Sequence, residues 1–408
     1  MKPFGVILSM LAALLLLASC HKEDDPVPDT RPSRTVLVYM VADNSLSNQS
    51  SGDINEMMQG ILDVDETSMK CNLLLYVDDY STPQLYHISN ENGVAQKTIV
   101  RSFTSEQTST DPAVFKNVLS IVTSKYAADS YGLVYWSHGD GWLPSSLKMR
   151  STNLRWIGQD LNNGDGSRYY GDIDDVAAAV KSVVGRMDFV MFDACFMLTT
   201  EVAYTFKDCT DYIIASPTEI PGPGAPYDKL VPYMFSTQST YATDIARAYF
   251  DYYNERYAGG SALSNSNWTG GVAIGAINTS AVEALADATA SALASAGDAD
   301  PATLRQAVFD YDKRTSRSHI GYYDLCGMMS ALLSAEDLSA WQTAYNNTLT
   351  YWQTTARNYS DFAGMFSMEN AKGMTQYIPV SAALTDSKDT AYHSTGWYQA
   401  AGLSQLGW

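Results

Sequence analysis

Two short blocks of the sequence hold residue types that can do covalent chemistry: Ser137-His138-Gly139-Asp140-Gly141-Trp142 and Asp193-Ala194-Cys195-Phe196-Met197. A cysteine sulfur can attack a carbonyl carbon, and a histidine can take the thiol proton and return it to a leaving group. A glycine directly after the histidine leaves the Gly139 N–H open to a developing oxyanion without a Cβ in the way. Nucleophile, proton carrier and oxyanion donor are therefore all present, with His138 and Cys195 separated by 57 positions. Other chemistries are poorly served. The five histidines (21, 87, 138, 319 and 393) are scattered, and the chain has no HExxH, no CxxC and no GxxxxGK[ST] phosphate loop. It also lacks the GxSxG elbow of a serine esterase. Asp78-Asp79 and Asp174-Asp175 have the residue types of a two-carboxylate glycosidase, but acid neighbours of this kind usually face solvent.

Chemistry at these two blocks needs a frame that brings them together. Short apolar runs rich in β-branched and aromatic residues predict six buried strands: Thr35–Val41, Asn72–Val77, Tyr131–Trp136, Asp188–Phe192, Tyr212–Ser216 and Gly271–Ile277. Helical patterns lie between them, over Pro112–Tyr126, Asp172–Val184 and Cys195–Phe206, and residues 84–101 read as a hairpin turning at Asn92-Gly93. Alternation of this kind implies an open α/β sheet, mostly parallel, with helices on both faces. In such sheets ligands bind beyond the carboxyl ends of the strands, which is where both blocks fall. A Cys195 at the start of a helix would have its thiol pKa lowered from about 8.5 by the helix dipole. After Ile277 the patterns are helical, over Ala281–Ala294, Ala302–Asp312, Asp324–Leu333 and Leu338–Trp352, interrupted by one late strand at Gly373–Pro379. This gives a catalytic domain over 34–278 and a mainly helical subdomain over 279–408.

Composition bounds the partners. With 408 residues, 46% hydrophobic and 17% charged, the chain can bury a large core and is neither a rod nor wholly disordered. Its 26 Lys+Arg against 45 Asp+Glu, a formal charge of −19, argue against a nucleic-acid partner and suit a cationic substrate.

The spacing of the blocks is near the roughly 50-residue His-to-Cys interval of caspases. More specifically, Trp136–Trp142 and Phe192–Met197 resemble the two signature blocks of the clostripain-like cysteine peptidases. The likeness extends to Tyr39-Met-Val-Ala-Asp-Asn-Ser-Leu46, to Ala215–Glu219 with Pro221–Asp228, and to Lys372–Pro379. The resemblance implies a caspase-like fold, with Cys195 as nucleophile, His138 as its acid/base partner, and the N–H groups of Gly139 and Cys195 as the oxyanion hole. It further implies cleavage after Arg or Lys, with Asp193 receiving the cationic side chain. Glu219 and Asp228 are further candidates for that pocket, and Asp193 could also cap a helix starting at Cys195. Members are commonly activated by cutting between the two blocks, where Lys148, Arg150 and Arg155 stand. No cofactor is implied as a requirement. Some relatives depend on calcium, but Asp160–Gly166 fails the EF-hand pattern, with Gly164 at its fifth position and Gly171 at its twelfth, so only a looser calcium site is admitted. The block continues Phe196-Met197-Leu198 where the family suggests Leu-Met-Gly, and these bulkier residues would narrow the cleft.

The first 19 residues have the charged start and apolar run of a secretory signal, ending in Leu17-Ala18-Ser19-Cys20, which is similar to a bacterial lipobox. Lipidation of Cys20, a polar tether to residue 33 and an acidic cluster behind the cysteine together suggest an outer-membrane or cell-surface lipoprotein of a Gram-negative bacterium. Of the remaining cysteines, 71, 209 and 326 read as small buried hydrophobes. The competing reading is a catalytically silent surface lipoprotein that binds peptide or glycan, with its 27 Tyr and 8 Trp as the contact set.

Overall fold

The computed structural model describes residues 29–104, 107–146, 157–162, 167–315 and 318–408. The signal segment, Cys20, Lys148, Arg150 and Arg155 lie outside the described residues. The strands are β1 (Ser33–Val41), β2 (Lys70–Asp78), β3 (Gln84–Glu91), β4 (Val94–Ser102), β5 (Ser130–Trp136), β6 (Ile157–Asp160), β7 (Tyr169–Gly171), β8 (Met187–Asp193) and β9 (Thr210–Ala215), followed by Ala273–Asn278 and Leu349–Thr354. Nine of these form one sheet in the order Leu349–Thr354, Ala273–Asn278, β9, β8, β5, β1, β2, β3, β4. The central five, β9 to β2, are parallel, and the hairpin β3–β4 and the two late strands are antiparallel. All six expected strands and the expected hairpin are present. β6 and β7 pair separately.

The central strands are apolar without a break because both sheet faces are covered. Alternate residues face opposite sides. Leu37, Tyr39, Leu133, Tyr135, Val190 and Phe192 pack into one core, while Val36, Val38, Val134, Trp136, Phe189 and Met191 pack into the other. The first core is closed by α2 (Pro112–Lys125), α3 (Ile173–Val183) and α4 (Thr200–Phe206), the second by α1 (Ser50–Gly60), α5 (Tyr227–Met234) and α6 (Tyr241–Arg256). α2 starts as its sequence dictates: the Asp111 carboxylate accepts from Ala113 N–H and Pro112 occupies the first turn.

Four elements differ from expectation, the simplest being the helix expected over Ala302–Asp312, which runs only from Pro301 to Ala307. Residues 195–199 are not helical, and α4 starts only at Thr200, where Thr199 Oγ1 accepts from Val202 N–H. The Phe196 and Leu198 N–H groups donate instead to Thr218 O and Ser216 O, and Phe196 sits at φ +60°, so cross-chain bonds outweigh the local helical pattern. The helix expected over Leu338–Trp352 runs from Ala335 to Thr348. The β-branched and aromatic residues Leu349–Thr354 that follow become the sheet's edge strand against Ala273–Asn278. The strand expected over 373–379 shrinks to Thr375–Gln376. Through Leu349–Thr354 the chain beyond residue 278 joins the main sheet, and Pro32–Trp408 forms one compact unit. No described helix is long and apolar enough to cross a membrane.

Candidate active site

β5 and β8 are parallel neighbours with Trp136 opposite Asp193, and Ser137 N–H donates to Asp193 O (3.4 Å). His138 and Cys195 are each the second residue beyond that register pair, so the sheet delivers both to one end of the same two strands. Gly139 sits where the blocks meet: a Cβ there would lie 2.8 Å from Ala194 Cβ and 3.0 Å from Cys195 O. No larger residue fits without moving the cysteine backbone. A cleft of about 550 Å³ opens over these residues, and its lining includes Ser45, His138, Gly139, Asp193, Cys195 and Glu219.

Cys195 is half-buried, and its Sγ accepts from Ile220 N–H at 3.5 Å. Without a helix start behind it, the thiol gains no help from a helix dipole, contrary to expectation. Burial, with the Glu219 carboxylate nearby, pushes it up to about 12. Burial also takes His138 down to about 4. At neutral pH the resting groups are therefore a thiol and a neutral imidazole, and His138 can serve as a base as the sulfur attacks. His138 Nε2 lies 2.8 Å from Ser45 Oγ, and His138 O accepts from Gly158 N–H (3.0 Å).

Asp193 is 2% exposed. Its Oδ2 accepts from Ala225 N–H (3.1 Å) and Tyr227 O–H (2.9 Å), while its buried Oδ1 has no hydrogen-bond partner among the described residues. With Cys195 outside any helix, Asp193 does not cap one. Burial raises its carboxyl to about 6. An unpaired buried carboxylate oxygen on the wall of a cleft is a strong acceptor for a cation. Glu219 also lines the cleft: Oε1 accepts from Asp361 N–H (3.2 Å), and burial raises the group to about 7. Asp228 is placed elsewhere, in the first turn of α5, paired with Lys229 Nζ (2.9 Å) and outside the cleft lining.

Sequence reasoning missed three contributors. Asp53 on α1 reaches Trp136, whose Nε1–H donates to Oδ2 (2.6 Å). A Cβ on Gly224 (φ +75°) would lie 3.4 Å from that oxygen and 3.2 Å from Asp193 Oδ2, so the two acids lie close together against the same glycine. Burial and the Asp193 charge raise Asp53 to about 9. Arg314 lines the cleft and binds both Asp140 and Asp312. Ser45 is the third, and its only sequence signal is its place in the Tyr39–Leu46 segment.

Among the described residues, no group of three or more His, Cys, Asp or Glu is arranged to hold a metal ion. Asp160 itself is occupied by Ser109 N–H and Asn162 N–H, and residues 163–166 of the acidic segment lie outside the described set. Cys195, Cys209 and Cys326 are free thiols, with Cys209 buried and Cys71, Cys195 and Cys326 half-buried.

Comparison with known proteins agrees with this geometry. The model of the Clostripain family matches residues 38–406. Clostripain of Hathewaya histolytica is 31% identical over 225 residues, 48% of this chain and 41% of that protein, so the chain spans less than half the length of this curated relative. A secreted C11 cysteine protease from Bacteroides thetaiotaomicron, solved with an irreversible peptide inhibitor, is 37% identical, with a TM-score of 0.80 over 91% of this chain and 99% of that one. An inactive zymogen C11 protease from Parabacteroides distasonis is 28% identical, with a TM-score of 0.74 over 92% and 99%. The caspase-like architecture of an open, mostly parallel sheet flanked by helices is thus shared with solved structures.

Proposed function

The chain belongs to the Clostripain family, and from that premise we propose that it is a cysteine endopeptidase cleaving after Arg or Lys. The observation that carries this reading is the placement of His138 and Cys195 just beyond adjacent strand ends, in a cleft also lined by Asp193, whose buried Oδ1 has no hydrogen-bond partner among the described residues. Cys195 Sγ attacks the scissile carbonyl carbon as His138 takes the thiol proton. The oxyanion is received by the N–H groups of Gly139 and Cys195. His138 then gives its proton to the departing amine, leaving an acyl thioester on Cys195. Water, deprotonated by His138, attacks that thioester and releases the acid. The substrate's cationic side chain meets Asp193, with Glu219 as a second acid on the wall. No step uses a metal.

Activation fits the same specificity. Self-cleavage after Lys148 or Arg150, with Arg155 as a further site, would cut between the two blocks, and a relative described as an inactive zymogen supports such a control. Lipid on Cys20 would hold the enzyme at the outer membrane or cell surface, and residues 279–408 would act as a flank of the catalytic unit. The test is turnover of fluorogenic peptides ending in Arg, Lys, Asp or Leu by residues 34–408, beside Cys195→Ala. Arg or Lys cleavage that vanishes in the variant is expected, since loss of the nucleophile costs on the order of a millionfold. Silence on every peptide, even after deliberate clipping between the blocks, would favour a binding module instead.

A further inference from the structure

A histidine that moves protons needs one ring nitrogen held so that the other is aimed. Ser45 Oγ, 2.8 Å from His138 Nε2, is in place to hold that nitrogen. The turn that carries Ser45 is tied to the histidine's own loop. Asn44 is fully buried; its Nδ2 donates to Val41 O and Gln159 O (both 2.8 Å), and its Oδ1 accepts from Leu46 N–H (2.9 Å). Ser137, immediately before the histidine, donates from Oγ to Val41 O (2.9 Å) and accepts from Gln159 N–H (3.2 Å). Gly158 N–H holds His138 O. The backbones on both sides of the Ser45 to His138 contact are thus fixed to each other by buried hydrogen bonds, although the serine itself is at the surface.

We propose that Ser45 is a positioning residue for His138: its hydroxyl oxygen accepts the Nε2–H and leaves the Nδ1 lone pair for the Cys195 thiol proton. The inference rests on the peptidase reading above and adds a member to that site. A neutral imidazole has one N–H and one lone pair, so securing the proton on Nε2 settles where the base lies. When the thiol proton passes to Nδ1, the Nε2–H of the resulting imidazolium stays on the hydroxyl oxygen. The Nδ1 proton then goes to the leaving amine, and the ring returns to its starting tautomer with nothing gained or lost at Ser45.

The test has two arms. On an Arg-terminated peptide, Ser45→Ala should lower kcat about fivefold to tenfold, the worth of one hydrogen bond, with KM within about twofold, since the loss falls on the chemical step. Ser45→Thr, which keeps the hydroxyl, should restore the rate. Independently, the ¹⁵N spectrum of His138 in the inert Cys195→Ala protein should show a protonated Nε2 and a bare Nδ1, and adding Ser45→Ala should give a mixture of tautomers. An unchanged or faster kcat in Ser45→Ala, or a protonated Nδ1 with Ser45 present, would overturn the proposal. A fast Ser45→Ala enzyme would instead mark the contact as one that restrains the imidazole. If no peptide is cut by any version, the peptidase reading fails, while the spectrum still decides whether Ser45 sets the tautomer.

Discussion

Arg314 and Asp140, 174 positions apart in the chain, form a buried ion pair of 2.8 Å beside the cleft. The same guanidinium binds Asp312 through Nε (2.6 Å) and Nη2 (3.0 Å) and lies over the Phe196 ring, 4.6 Å from its centroid. One late residue therefore grips the position two after His138 and the position one after Cys195. Arg314→Met should leave two buried carboxylates without their cation and cost about 3–5 kcal/mol of stability. Urea unfolding would measure this, and a loss below about 1 kcal/mol, the range of an exposed pair, would show that the pair is solvated.

The Asp53 and Asp193 carboxyls should make stability fall as pH rises. Both have folded-state values above the ordinary carboxylate range, at about 9 and about 6. The folded chain therefore binds more protons than the unfolded chain from about pH 4 upward, and this contribution is lost progressively until each folded value is passed. Asp53→Asn, which keeps an acceptor for Trp136, should stabilise the protein more at pH 8 than at pH 5. Equal effects at both pH values in thermal melts would contradict this.

Asp193→Asn should separate substrate choice from chemistry. Turnover of Arg and Lys peptides should fall about 100-fold or more, since a desolvated cation loses its charged partner. Labelling of Cys195 by a small neutral alkylating agent should stay within about threefold, because a substitution at the pocket wall leaves the sulfur's access unchanged. Equal losses in both assays would assign Asp193 to the fold alone.

Gly139→Ala tests the contact between the blocks. Its Cβ would stand 2.8 Å from Ala194 Cβ, so the cysteine backbone must shift. A fall in kcat on the order of 100-fold is expected from misplacing the nucleophile and an oxyanion donor. A near-normal kcat would mean that the loops separate freely.

The scaffold was legible because its signals are local. Strands covered on both faces must be apolar throughout, and the turn at Asn92-Gly93 carries the positive φ angles such a hairpin needs. The pairing of Trp136 with Asp193 follows once β5 and β8 are neighbours. What stayed hidden depends on packing between distant elements. Nothing around Asp53 marks it as part of a site until the packing of α1 brings it to Trp136. Residues 195–199 carry an apolar pattern continuous with α4, and only their bonds to Thr218 and Ser216 show that they turn away. Arg314 stands beside Lys313 and near Arg317 in sequence, and only in three dimensions is it singled out as the cation that meets Asp140 and Phe196.

Further supports of the two blocks come from late in the chain. Thr375 N–H donates to Leu198 O, Tyr377 N–H to Glu201 Oε1 (2.8 Å), and Tyr322 O–H to Asp140 O (2.5 Å). During synthesis both blocks emerge long before these residues do. A nascent chain therefore carries Cys195 and His138 without the late residues that brace their loops. The order of the sequence therefore places the last contacts of the site almost at the end of the chain's emergence.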